Sequence, residues 1–173
     1  YYGQFRNFRK YTDKPYQWAE DWIGIRFDFG LTGGQMNGWV KEGTKWYYYK
    51  DGKKLTGWQY LGWSGGTDWF YFDSNGAMVT GWQKLKWSKG ENWFYFDPDS
   101  AAMKTGWVYD NGSWFYLDPD TGAMRTGWIK WKGKLCYLEP VSDKNHVQGR
   151  CYVNCRATIG GKLYSFDKDG YAT

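Results

Sequence analysis

A Gly-Trp dipeptide recurs five times, at Gly38-Trp39, Gly57-Trp58, Gly81-Trp82, Gly106-Trp107 and Gly127-Trp128, with intervals of 19, 24, 25 and 21 residues. Self-similarity at such a period marks a repeat architecture in which no unit is large enough to bury a face by itself. Between successive dipeptides lies an aromatic block: Trp46-Tyr47-Tyr48-Tyr49, Trp69-Phe70-Tyr71-Phe72, Trp93-Phe94-Tyr95-Phe96 and Trp114-Phe115-Tyr116-Leu117. Each block runs into turn-formers such as Asp73-Ser74-Asn75-Gly76 or Asp118-Pro119-Asp120-Thr121-Gly122, and three of the four turns continue as Ala-Met-x-Thr-Gly-Trp.

Each repeat therefore predicts two short strands, one starting at Gly-Trp and one formed by the aromatic block, joined by a polar loop. In repeats two and three the tryptophans are 11 positions apart, Trp58 to Trp69 and Trp82 to Trp93, where in repeats one and four they are 7 apart. Four extra residues lengthen each strand by two, so the period of two is kept and the second Trp returns to the same face. A lone hairpin is marginal in water. The expected fold is all-β, a solenoid of stacked β-hairpin repeats with degenerate units as caps. The composition agrees: 14 Trp, 16 Tyr and 10 Phe supply burial in place of aliphatics, and 24 Gly against 4 Pro supply turns without Pro tracts. Residues 37–139 carry the repeats; 1–36 read as a linker, the tail of a preceding domain or a worn first repeat, and 140–173 as a capping segment. In the cap, Lys162 to Gly170 resembles a last half repeat without its Trp.

The net charge of +5 is spread along the chain and suits proximity to an anionic polymer, with nothing pointing to nucleic acid. No apolar run approaches the roughly 18 residues that span a bilayer, so no membrane insertion is expected. The chain starts at Tyr1 and reads as a processed protein or a piece of a longer one. Three cysteines, Cys136, Cys151 and Cys155, cannot form a complete intrachain disulfide set. His146 is the only histidine, which removes zinc sites built on several His and leaves no defensible Ser-His-Asp or Cys-His arrangement. The Asp118 turn resembles the start of a calcium loop, but Ile129 stands where the bidentate Glu belongs. No catalytic residue, metal or cofactor is expected, and the chain reads as a binding module and not an enzyme.

Alternation puts the first and third residues of each block on one face and the second and fourth on the other. Phe70 and Phe72 then face a core, while Trp69 and Tyr71 present rings with polar handles. A quaternary ammonium has no N–H to donate, so a protein must hold it with ring faces, of which Trp is the best. Two tryptophans of one hairpin with a tyrosine of the next give four sets: Trp39, Trp46 and Tyr71; Trp58, Trp69 and Tyr95; Trp82, Trp93 and Tyr116; Trp107, Trp114 and Tyr137. A fifth set fails at Leu135 and Ser165, and Trp63 and Trp87, confined to the long hairpins, read as packing.

Gly-Trp, the Trp-(Tyr/Phe)-Tyr-(Leu/Phe) block, the Gly turn and Met-x-Thr-Gly-Trp together resemble the choline-binding repeats of bacterial and phage surface proteins, autolysins and endolysins. The resemblance implies a left-handed solenoid, choline held between consecutive repeats, and attachment to phosphocholine on the teichoic acid of the cell wall, outside the cell or from a released phage lysin. It makes the four ring sets choline sites and adds Met78, Met103 and Met124 as further walls; Lys54 takes the Met position of the first repeat, which weakens the first set. The implied role is to target a peptidoglycan hydrolase to the wall. A glucan-binding repeat stacking on sugar rings and a surface adhesin are the alternatives.

Overall fold

The computed structural model describes residues 36–173, so readings of residues 1–35 lie outside the described residues. Among these, every regular element is a strand and six antiparallel hairpins follow one another. β1 (Gly38–Glu42) pairs with β2 (Lys45–Lys50), to which β3 (Lys53–Lys54) adds a short third strand. β4 (Gly57–Trp63) pairs with β5 (Gly66–Phe72), and β6 (Gly81–Trp87) with β7 (Gly90–Phe96). β8 (Gly106–Asp110) pairs with β9 (Ser113–Leu117), β10 (Gly127–Trp131) with β11 (Lys134–Leu138), and β12 (Cys155–Ile159) with β13 (Lys162–Phe166).

The register carries the insertion argument into coordinates. Trp58 faces Tyr71 and Trp82 faces Tyr95 across the 7-residue strands, as Trp107 faces Tyr116 across the 5-residue ones. The hairpin tips are two-residue turns; Asn111-Gly112, Lys132-Gly133 and Gly160-Gly161 have positive φ at both positions, the twist that matches antiparallel strands. The glycine of each Gly-Trp sits at φ between 70° and 94°, a region costly to any residue with a Cβ. In the last hairpin Cys155 stands at that place, and Asn154 before it takes the positive φ, 48°. That hairpin is complete. The sequence marks only its second strand because Cys155-Arg156 replaces Gly-Trp, erasing the signal on which the first strand is recognised.

The chain divides into two compact units, one holding the described residues to Thr80 together with Pro98–Ala102, the other Gly81–Asp97 and Met103–Thr173. In the first, Phe70 and Phe72 are fully buried with Ala101 and Ala102, and Trp39, Tyr48, Trp63 and Met78 pack around them. In the second, Val108, Phe115 and Leu117 form a cluster with Tyr95 and Met124, while Ile129, Cys136, Leu138 and Cys151 form another beneath Trp107, Tyr116 and Trp131. In the second and fourth blocks the second and fourth residues are the buried ones, as alternation requires; in the first Tyr47 is half-buried beside buried Tyr49, and in the third Tyr95 is buried together with Phe94 and Phe96. Trp63 and Trp87 lean on Phe70 and Phe94, in packing roles.

The links between hairpins form a repeated joint. Met78 bridges to Phe72, Met103 to Phe96 and Met124 to Leu117, and Cys151 and Ala172 make the same bridge to Leu138 and Phe166. Cys151 is thus the methionine equivalent of the fifth repeat. The turn glycine one repeat later lies against this side chain: Gly122 against Met103, Gly149 against Met124 and Gly170 against Cys151. Asp118 closes its turn by accepting from the Thr121 and Asp120 amides and from Arg125, so its oxygens are committed to the turn.

Candidate functional site

Three joints bring the methionine position of one hairpin to the second tryptophan of the hairpin before it. The Met78 amide donates to the Trp46 carbonyl at 2.8 Å, Met124 to Trp93 at 2.9 Å, and Cys151 to Trp114 at 2.8 Å. The residue at the methionine position is thus bonded, main chain to main chain, to the preceding hairpin's tryptophan, one place earlier than its position in sequence suggests.

The tyrosines sit differently. Tyr71, Tyr95, Tyr116 and Tyr137 are the cross-strand partners of Trp58, Trp82, Trp107 and Trp128, and pack on them at ring-centre distances of 5.4, 4.9, 5.0 and 4.9 Å. The tyrosine assigned to the next hairpin's contribution is a same-face neighbour of its own hairpin's Gly-Trp. Alternation places it there, and the register makes the contact.

Three ring environments follow. In the first set, Trp39 lies against Tyr48, Phe70 and Phe72, its indole N–H donates to the Gly62 carbonyl at 2.8 Å, and Trp46 meets Met78; Tyr71 stands at Trp58. In the third, Trp82 is flanked by Tyr95 and Phe115, both at 4.9 Å, and Trp82 and Trp93 border the Met124 cluster; Tyr116 stands at Trp107 and Trp131. In the fourth, Trp107 and Trp114 meet at 6.4 Å and 87°, with Tyr116 beside Trp107. Trp58 and Trp69 repeat that geometry at 6.3 Å and 83°, with Tyr71 alongside. Of the second set, Trp58 and Trp69 belong to the first unit and Tyr95 to the second.

Trp69 and Trp114 are each 44% exposed, and each carries an exposed cross-strand tyrosine, Tyr60 and Tyr109. These two tyrosines escape the Trp-Tyr-Met pattern; their only sequence signal is matching position, two residues after Gly-Trp's Trp in repeats two and four. Two ring faces at right angles with further rings beside them can surround a cation lacking N–H donors.

Lys54 occupies the methionine position of the first link, but its ammonium points away from Trp46. It lies 3.5 Å from the Tyr47 ring centre and pairs with Glu42 at 2.8 Å, which also accepts from the Tyr49 hydroxyl at 2.6 Å. The bonds from Lys54 and then Tyr49 hold the Glu42 carboxyl below its ordinary range. Burial, and then the bond to Glu42, raises the Tyr49 phenol. Among the described residues, no group of three His, Cys, Asp or Glu is arranged to hold a metal ion.

Residues 55–105 and 86–128 match the model of the choline-binding repeat, and residues 37–52 that of the putative cell wall binding repeat. Among solved structures, the chain is similar to choline-binding protein F of Streptococcus pneumoniae in complex with ipratropium: 30% identity over 91% of this chain and 54% of that one, TM-score 0.62. It is also similar to the pneumococcal cell wall endolysin of phage Cp-1 complexed with choline, at 26% identity over 91% of this chain and 40% of the endolysin, TM-score 0.50. The same endolysin with a peptidoglycan analogue gives 26% identity, 89% and 39% coverage and a TM-score of 0.51. The chain spans about half the length of choline-binding protein F. No curated protein matches the sequence.

Proposed function

The chain belongs to the choline-binding repeat family, and from that premise we propose that it anchors a longer protein to the cell wall, outside the cell, by holding choline of phosphocholine-bearing teichoic acid in its aromatic faces. The observation that carries this reading is the pair of near-perpendicular tryptophans, Trp58 with Trp69 and Trp107 with Trp114, each half open to solvent and backed by a tyrosine. Edge-to-face contact also occurs in packing, as between Trp63 and Phe70 at 87°, and these pairs differ in lying open, with Trp69 and Trp114 each 44% exposed beside an exposed tyrosine. Trp39 with Trp46 and Met78, and Trp82 with Trp93 and Met124, supply further walls of the same composition.

A desolvated cation–π contact contributes up to about 2 kcal/mol, so after the cost of association a three-ring cage binds choline near ~1 mM, about −4.1 kcal/mol. Engagement of several cages by one polymer raises the apparent affinity roughly 10² to 10⁴ fold. Weak single sites are thus compatible with firm attachment. The anchored partner in this proposal is a peptidoglycan hydrolase, consistent with the endolysin similarity and with a chain that spans only part of its relatives.

Titration of intrinsic tryptophan fluorescence with choline, and separately with dextran oligomers, tests the reading. A saturable choline response with millimolar midpoint, reduced in amplitude by Trp114→Ala, is expected. A flat choline response beside a clear dextran response would overturn it in favour of glucan recognition.

A further inference from the structure

The link after the fifth aromatic block is longer than the rest. Leu138 and its bridge partner Cys151 lie 13 positions apart, whereas 6 or 7 separate Phe72 from Met78, Phe96 from Met103, Leu117 from Met124 and Phe166 from Ala172. The extra residues are well held. Asp143 accepts from the Asn145 and His146 amides and from the His146 ring, Gln148 donates to the Pro140 carbonyl, and Glu139 receives the Val141 amide and the Tyr152 hydroxyl.

This enlarged link walls a cleft of about 670 Å³ whose aromatic side is Trp114 with Tyr109 and Tyr152. Its cationic side is Arg150, Arg156 and Lys168, and the one carboxylate lining it is Glu139. Glu139 is buried with both oxygens occupied, and Lys168 is held by Asp169 at 3.0 Å. Arg150 and Arg156 are exposed and have no carboxylate within ion-pair distance among the described residues. Two unpaired guanidiniums beside a cage wall repel a bare quaternary ammonium and welcome one that brings its own negative charge. Guanidinium groups match phosphate oxygens in bidentate geometry.

We infer that the cleft between Trp114 and the 139–156 segment is a phosphate subsite, in which Arg150 and Arg156 bind the phosphate of a phosphocholine group whose trimethylammonium lies against Trp114, the member of the Trp107–Trp114 pair that lines the cleft. The inference rests on the choline reading of those two tryptophans and adds selectivity to it: the fourth cage takes phosphorylated choline in preference to choline. The Trp82 and Trp93 walls do not line this cleft, and a cage there discriminates less.

Calorimetric titrations of the full chain with choline, phosphocholine and inorganic phosphate test it, beside Arg150→Gln/Arg156→Gln. The wild-type chain should bind phosphocholine about tenfold more tightly than choline at one site, and inorganic phosphate alone should compete only weakly. In the double variant the ratio should fall to about one through weaker phosphocholine binding, with the single Arg156→Gln intermediate and informative should the double variant not fold. Equal affinity for choline and phosphocholine at every site, an unchanged ratio in the variants, or inorganic phosphate competing as well as phosphocholine would overturn the subsite while leaving choline binding intact. Absence of binding by both cholines would overturn the underlying function as well.

Discussion

Gly149→Ala, compared with Gly81→Ala, measures how firmly Met124, a wall of the proposed cage, is held. Both glycines lie in the left-handed region, at φ of 83° and 70°, and both belong to the second unit. A Cβ at Gly81 meets nothing within 4 Å, so its cost is conformational, about 1–2 kcal/mol. A Cβ at Gly149 has the same conformational cost but would also collide with Met124, landing on its sulfur and 2.9 Å from its Cε. Met124 is 5% exposed, so its thioether can retreat only by disturbing the Val108–Phe115–Leu117 cluster. Overpacking of that kind adds about 1–3 kcal/mol, giving a total of roughly 2–5 kcal/mol for Gly149→Ala. Urea denaturation reads the difference between the two variants, and choline titration of the folded variants reads the wall: Gly149→Ala should lose affinity severalfold at one site and Gly81→Ala should not. Equal midpoints would show that Met124 yields freely. A stability loss with every choline site intact would remove Met124 from the cage.

The Glu42–Lys54–Tyr49 group predicts acid sensitivity. Because the Glu42 carboxyl is held low, its stabilisation is present above the ordinary carboxylate range and is lost as pH falls through the lowered value. Asp118 is shifted downwards too: burial opposes ionisation, but the bonds from Thr121, Arg125 and Asp120 outweigh it, so the difference between wild type and Glu42→Gln is the quantity to read. The urea midpoint of the variant should drop less between pH 7 and pH 3, and parallel curves would refute the assignment. Burial pushes the Cys151 thiol up to about 12 and also raises Cys136 and Cys155, but of the three only Cys155 is exposed. A thiol reagent on the native chain should label Cys155 first, with Cys136 and Cys151 following only on unfolding; rapid labelling of all three would contradict the packing. Cys136→Phe should destabilise by about 1–3 kcal/mol through overpacking beneath Trp131, and Trp131→Ala by roughly 3–5 kcal/mol. Thermal melts of the double variant should show a cost below the sum of the singles, and strict additivity would deny that the two share one space.

The hairpins were legible because two local codes coincide: a glycine that must take positive φ before each first strand, and a block whose odd and even members differ in polarity. The last hairpin's first strand was not, since Asn154 supplies the positive φ there and Arg156 stands for the tryptophan. The buried faces were equally readable, from Phe70 and Phe72 to Phe115 and Leu117. Less could be read of the cages, because period two assigns a side chain to a face but says nothing of which neighbouring hairpin that face meets. Tyr116 is on the ring face as alternation requires, yet its partners are Trp107 and Trp131. The joint was hidden for the same reason: the bond from Met124 to Trp93 links positions 31 apart. Cys151 shows a methionine place held by another residue, unrecognisable without the bridge to Leu138.

Identical Gly-Trp dipeptides place their tryptophans in different environments, and the deciding residue lies one hairpin further on. Trp39, Trp82 and Trp128 each meet the ring at the second place of the next block, Phe70, Phe115 and Tyr164, at 4.9, 4.9 and 4.8 Å. For Trp107 that place is Cys136, which offers no ring, and Trp107 instead contacts Trp114 and the tip residue Trp131. The small side chain at 136 leaves room for Trp131 to reach Trp107, but the right-angle pair does not depend on it, since Trp58 and Trp69 hold the same geometry with Phe94 at the corresponding place. Cys151 in place of methionine leaves further room beside Trp114, where the lengthened link brings Arg150 and Tyr152 to the cleft. Three departures of the fifth repeat, at 136, 151 and in the link, thus fall around one tryptophan pair. The surroundings of a Gly-Trp tryptophan thus vary with the residues of the neighbouring repeat, so a count of aromatic motifs overstates how alike the proposed sites are.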